Sequence, residues 1–258
     1  MRARIIFIIF LLLCLGAASY GAFRIIKNQR SYKEGVEEYK SLEETYTKVN
    51  ESYGDEAAYG SGSDYVPPID IDWDGLLSEN KDIVGWLYVE GIDSISYPIV
   101  QGADNQEYLH KMIDGSYNYA GSIFLDSLNA DTLTDAHSII YGHNMRNRSM
   151  FGNLRQFREG DALSVSPYFW VLTPKKDCRY RIITCMTVPQ SDRLYTIFKE
   201  RNDDLWEWED YIVRSSLADI TLPPVGEDSD FVTLSTCYGS GSEWRDAVTG
   251  ILTEKHEK

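Results

Sequence analysis

Phe231-Val232-Thr233-Leu234-Ser235-Thr236-Cys237, then a loop from Tyr238 to Trp244, then Arg245: the chain is best read outward from this stretch. Its first seven residues are uncharged and mostly apolar or β-branched. They read as a buried strand with Thr233, Ser235 and Cys237 on one side. Gly239 and Gly241, alternating with Ser240 and Ser242, signal a turn, and an apolar run resumes after Arg245 through Ala247, Val248, Ile251 and Leu252. The prediction is a hairpin. Residues facing each other across paired strands lie within about 5 Å, so a guanidinium can stand beside a thiol here. A nearby permanent cation favours the thiolate, the form that attacks carbonyls. Asp246, next along, is a competing partner for that guanidinium.

Such a thiol still lacks a base. The four histidines are His110, His137, His143 and His256. His143 is the best placed, because Ser138 to Tyr141 read as a short strand ending at Gly142. His143, like Cys237, would hang from a strand end onto an irregular loop, where reactive groups are commonly presented. Taken singly, each residue has a bland reading: a buried strand Cys, a loop His, a surface Arg. The combination is rarer.

With these residues in view, the chain resembles class B sortases, the cysteine transpeptidases of Gram-positive cell surfaces. The resemblance rests on Asp82 to Leu87, Ser96 to Gly102, Asp104 to His110, Gly121 to Asp126, Ile139 to Asn144 and Thr233 to Cys237. Tyr141-Gly-His-Asn144 and Thr233-Leu-Ser-Thr-Cys237 are its most specific elements. It implies a closed sortase-like β-barrel with Cys237, His143 and Arg245 as catalytic residues and Asn105, Tyr141 and Ser235 lining the substrate groove. It further implies a sorting signal like Asn-Pro-x-Thr-Asn on a surface protein, a peptidoglycan amine as acceptor, an inside N-terminus and an external enzyme.

Composition agrees with one substantial core: 258 residues, 43% hydrophobic and 13% aromatic. A net charge of -15 repels phosphate backbones and argues against nucleic-acid binding. Arg2 and Arg4 precede 19 uncharged residues, Ile5 to Phe23. As a helix these would span about 28 Å, close to a bilayer's hydrocarbon core. The preferred reading is a membrane anchor over residues 1–30. A cleaved signal peptide competes, because the most apolar part stops at Ala18 and Ala17 with Ser19 offers small residues for cleavage.

Within residues 31–66 come an amphipathic helix and a linker. Tyr32, Val36, Tyr39, Leu42, Tyr46 and Val49 share one helix face, which needs a surface to dock on: the following domain, or a second copy as a coiled coil. Residues 51–66 carry Gly54, Gly60 and Gly62 among serines and acids and read as linker. Residues 67–258 then form the catalytic domain. Its fold class is mainly β, a closed barrel or sandwich of about eight strands. The strands are expected at Ile83–Val89, Ser94–Val100, Ser122–Asp126, Ser138–Tyr141, Ala162–Ser166, Phe169–Leu172, Arg179–Val188, Phe231–Thr236 and Ala247–Thr253. Peripheral helices are expected at Asp72–Ser78, Asn105–Met112, Ser149–Phe157 and Leu205–Ser216, the second with Asp104 and Glu107 at capping-box spacing and the last capped by Asp203 or Asp204. By the resemblance, the last walls the substrate groove; core packing is its alternative.

Cys178 and Cys185 lie seven apart on one expected strand, about 23 Å if extended, too far for a mutual disulfide. From sequence, either can bridge Cys237. No Cys or His pair has zinc-ligand spacing, so neither metal nor other cofactor is expected. Two other functions stay open: a cysteine peptidase that releases its peptide to water, and a tethered surface module whose Cys237 is structural.

Overall fold

The computed structural model describes residues 2–53, 66–220, 229–237 and 243–258. The linker expected between residues 51 and 66 and the turn after Cys237 fall largely outside the described residues. α1 runs unbroken through Arg2–Tyr46, 45 residues. Its first half exposes a continuous apolar surface, Ile5 to Ile26, whose most apolar 18-residue window has a mean hydropathy of 2.4 and is not buried at all. That is long and apolar enough to cross a membrane.

The second half of α1 docks on the domain, as simple packing requires. Tyr39 and Leu42 are buried, Tyr32 and Tyr46 pack at the edges, and the Tyr39 hydroxyl donates to the Gly121 carbonyl at 2.6 Å. Two positions depart from the expected face. Val36 is 43% exposed, because the buried neighbour at that level is Gly35, which approaches Ala120 and Asn118. Val49 is not helical: the helix stops at Tyr46, and Thr47–Val49 (β1) pairs with Ile69–Ile71 (β2). The β-branched Thr47 and Val49 suit that strand better than another helical turn.

After α2 (Trp73–Glu79), capped by the Asp72 carboxylate, the strands follow. They are β3 (Ile83–Val89), β4 (Ser96–Val100), β5 (Ile123–Leu125), β6 (His137–Tyr141), β7 (Tyr168–Leu172), β8 (Lys176–Pro189), β9 (Phe231–Cys237) and β10 (Trp244–Glu257). These eight close into a barrel in the order β10-β8-β7-β3-β4-β5-β6-β9, with β9 bonded back to β10. The expected closed barrel is therefore present. β8 and β10 are 14 residues each and form its tallest wall. At Gly250 of β10 a Cβ would lie 2.5 Å from the Phe169 ring, so the core there requires a glycine.

Helices are where the expectations need correcting. Ala162–Ser166 is not a strand: Ala162–Val165 forms the short helix α4, with Asp161 accepting the Ser164 and Val165 amides through its carbonyl. Five alternating residues could not distinguish the two. Of Asn105–Met112 only Glu107–Leu109 is helical, a single 3-10 turn. The cap position is Gln106, which makes no side-chain cap bond; Asp104 stands two residues earlier and accepts the Gln106 and Glu107 amides, while Glu107 reaches back to the Ala103 amide rather than to Asp104. Of Ser149–Phe157 only Gln156 and Phe157 are helical, as the start of α3 (Gln156–Glu159), because Arg148 and Met150 take positive φ values of 66° and 53° and turn the chain. The longer helix α5 spans Asp203–Arg214 and is capped by Asn202, one residue before the expected aspartates.

Inside the barrel wall, Arg179 pairs with Glu90 at 3.0 Å, both side chains being nearly inaccessible. Glu90 also accepts from Trp170 Nε1, and the guanidinium lies 3.9 Å above the Tyr168 ring. Without the Glu90 charge, buried Arg179 is left with the half-exposed Glu254, 3.0 Å from its Nη1. Glu90→Gln is expected to lower unfolding free energy by about 3 kcal/mol in denaturant titration.

Candidate active site

β6 and β9 are parallel neighbours, with Tyr141 opposite Ser235. Their C-terminal ends therefore leave the barrel at the same rim. β10 is antiparallel to β9, so its first residues start at that rim, with Arg245 opposite Cys237 in Cα register. This topology brings His143, Cys237 and Arg245 together from three separate strand ends. Gly142 makes the exit from β6: a Cβ there would lie 2.5 Å from Ile123 Cδ1 and 2.8 Å from the Phe151 ring.

A cleft of about 410 Å³ opens at this rim. His143, Arg245, Asn105, Tyr141 and Ser235 all line it, five of the six residues expected from sequence. The sixth, Cys237, stands on β9 two positions beyond Ser235, and its side chain lies outside the described residues. Cys178 and Cys185 are buried free thiols, so neither bridges it.

His143 is half-buried and held on two sides. Nε2 lies 2.7 Å from the Leu109 carbonyl oxygen. A carbonyl only accepts, so Nε2 carries the proton and the neutral ring keeps its lone pair on Nδ1. The His110 ring stacks on it at 5.3 Å and 9°. Burial pushes the His143 pKa below the ordinary histidine value, the Leu109 carbonyl partly opposes this, and His110 adds to it. The resting imidazole is thus neutral at neutral pH, as a proton acceptor needs to be.

Arg245 is half-buried and donates to Gln190 Oε1 at 2.9 Å and to the Trp244 carbonyl at 3.0 Å. Asp246 does not compete for it. Successive strand side chains face opposite ways, and the buried Asp246 carboxylate accepts from the Thr187 hydroxyl at 2.7 Å with Arg158 at 3.6 Å.

The groove candidates are tightly fixed. Buried Asp126 accepts from Asn105 Nδ2 at 2.9 Å and from the Tyr141 hydroxyl at 3.0 Å, and Asn105 Oδ1 accepts the Ser127 amide. Ser235 Oγ shares a 2.8 Å hydrogen bond with the Tyr195 hydroxyl, and Tyr195 stacks on Tyr141. Tyr195 and Gln190 are cleft residues that the sequence reading missed. Both follow β8: Gln190 lies in Pro189-Gln-Ser-Asp192, a turn signal at the rim, and Tyr195 ends the 3-10 turn Arg193–Tyr195 that Asp192 caps. α5 contributes no lining residue to the described cleft. It buries Leu205, Trp208 and Ile212 with Phe198 and Phe231, and Trp208 Nε1 donates to the Leu194 carbonyl. It therefore buttresses the turn carrying Tyr195.

His137 is a core residue. It is fully buried, with Nδ1 2.7 Å from the Thr196 carbonyl and Nε2 2.8 Å from Thr233 Oγ1. Burial holds its pKa down at about 4, against the Thr196 carbonyl and Asp135, which raise it. The unfolded chain binds a proton at this histidine near pH 6.5, the folded chain only near 4, so stability is lost as pH falls through that window. The expected loss is about 3 kcal/mol. Thermal melts across that window should show it for the wild type, and His137→Gln should flatten the curve by that amount.

The sortase domain model matches residues 87–249. The chain belongs to the sortase family. Among curated relatives, sortase B of Listeria monocytogenes is 37% identical over 167 residues, which cover 63% of this chain and 65% of that one, just under two thirds of its length. A Streptococcus pyogenes class B sortase involved in pilus biogenesis superposes with a TM-score of 0.63 at 34% identity, over 70% of this chain and 98% of that one. A Bacillus anthracis protein similar to sortase B gives a TM-score of 0.68 at 26% identity, over 88% and 98%. The likeness to class B sortases read from the six sequence stretches stands.

Proposed function

We propose that this sortase is a membrane-anchored cysteine transpeptidase that cleaves a sorting signal on a surface protein and joins the new carboxyl end to a peptidoglycan amine. The observation that carries the reading is the convergence of the Tyr141-Gly-His143, Thr236-Cys237 and Arg245 strand ends on one cleft. In the first half-reaction the Cys237 thiol proton passes to His143 Nδ1 while sulfur bonds to the scissile carbonyl carbon. The Leu109 carbonyl stabilises the resulting imidazolium through Nε2–H. The carbon–nitrogen bond then breaks, and His143 returns the proton to the leaving amine. In the second half-reaction His143 takes a proton from the incoming amine, the amine nitrogen bonds to the same carbon, the carbon–sulfur bond breaks, and His143 returns the proton to the Cys237 sulfur.

Arg245, steered by Gln190, stabilises the oxyanion or holds the substrate backbone. Asn105, Tyr141 and Ser235 shape the groove for a signal of the Asn-Pro-x-Thr-Asn kind. α1 anchors the chain with its N-terminus inside and the barrel outside. Residues 31–66 connect anchor to enzyme, and residues 67–258 are the catalytic domain.

Incubation with a sorting-signal peptide library tests this directly by mass spectrometry: a thioacyl adduct on Cys237 is expected, and an added amine should raise product yield. An amine without effect on yield would favour a peptidase instead. Arg245→Lys replaces a rigid fork of donors with a point charge. Turnover should fall about 10²- to 10³-fold with little change in melting temperature. Near-wild-type turnover would make Arg245 a spectator.

A further inference from the structure

α1 leaves the domain at a defined place. The Ser31 carbonyl accepts from Asn118 Nδ2 at 2.9 Å, and Gly35 packs on Ala120. On the N-terminal side of Ser31 the helix carries Arg24, Lys27 and Arg30 and then the exposed apolar run ending at Phe23, Ile25 and Ile26. At a rise of 1.5 Å per residue, Ser31 sits about 8 Å beyond Ile26 and about 12 Å beyond Phe23. A bilayer's headgroup layer is about 5 to 7 Å deep on each side. Ser31 and the Asn118 that holds it therefore lie about 1 to 7 Å outside that layer, a gap that a tyrosine side chain can span.

The residues flanking Asn118 are aromatic. Tyr117 is 68% exposed and Tyr119 is 42% exposed, and their rings meet edge to face at 5.7 Å. Amphipathic rings of this kind are enriched at the membrane–water interface. Both also contact His110, at 5.7 and 6.1 Å, and His110 stacks on His143. Two ring contacts thus connect the helix exit to the catalytic histidine. The other end of the barrel faces away: Lys176 and Glu257, paired at the far ends of β8 and β10, lie a full 14-residue strand from the rim.

We infer that the Tyr117–Tyr119 segment is a lipid-interface contact, so that the catalytic rim of the barrel faces the bilayer surface. This deepens the anchored reading above and rests on it. The bilayer is the occupant because the helix that would enter it is continuous with the helix that Asn118 holds. The arrangement would keep the cleft within reach of substrates that are themselves membrane-bound and would hold its entrance at headgroup level.

The test uses the full chain in phosphatidylcholine–phosphatidylglycerol vesicles containing a phospholipid with a photoreactive headgroup, with adducts mapped by peptide mass spectrometry. Adducts are expected on α1 near residues 23–31 and on residues 112–121, with none on residues 173–177. The double variant Tyr117→Ser/Tyr119→Ser should keep the helix adducts and lose most of those on the domain. Adducts on α1 with none on residues 112–121, or with equal labelling of residues 173–177, would overturn the inference while leaving the anchor intact. Absence of adducts on α1 itself would remove the anchor, and the inference with it.

Discussion

Cys237→Ala is expected to abolish both thioacyl formation and peptide cleavage while leaving the barrel folded. The residue ends β9, and its backbone pairs with Arg245 whichever side chain it carries. The substitution therefore removes a nucleophile and no ladder hydrogen bond. Without the thiolate no covalent intermediate forms: a neutral hydroxyl is a far weaker nucleophile, and those of Ser235 and Tyr141 are in addition engaged by Tyr195 and Asp126. Burial, and then Asp126, also push the Tyr141 pKa up and keep its oxygen protonated. The check is a turnover assay beside a thermal melt. Substantial cleavage by a homogeneous Cys237→Ala preparation would refute the assignment.

His143→Ala should lower turnover by about 10³-fold or more, because in the proposed mechanism one imidazole handles the proton in both half-reactions. The controls are informative here. His137→Ala should damage the fold before it damages the chemistry, since it empties a buried site between Thr196, Thr233 and Trp208. His110→Phe keeps a ring against His143 and should retain most activity. A His143 variant that stays active while the folded His110 variant is dead would mean that the stacked pair had been assigned in the wrong order.

Much of the barrel was legible as short runs of apolar and β-branched residues set between turn signals; β4 and β5 are buried at every position, so the run itself rather than an alternation marks them. Ile83–Val89 matches to the residue, and β9 extends the expected strand by one. The short helices were less legible. Over four or five residues helical and extended patterns coincide, and the deciding feature in 149–157 was the positive φ at Arg148 and Met150, which neither residue type announces. In the cleft, residues presented by strand ends could be found from the strands. Tyr195 and Gln190 could not, because a loop residue acquires its position from what packs beneath it. For Tyr195 the support is Trp208, thirteen positions further on, under Leu194. Asp126 was visible as a strand terminus, but its role in fixing both Asn105 and Tyr141 exists only in three dimensions.

The parallel pairing of β6 with β9 has a kinetic consequence. His143 and Cys237 are more than ninety residues apart, and the segments that carry them meet only when that pairing forms. Closing so long a loop must be paid for in chain entropy before the contact gives anything back, which makes it a late step in acquiring the native state. A chain emerging from synthesis or export therefore carries an inert histidine for as long as β9 has not docked. Reactivity toward a thiol-directed sorting-signal analogue should then appear in refolding as a single late phase, coincident with barrel closure and well behind the burst of local hairpin formation at β3–β4 and β7–β8.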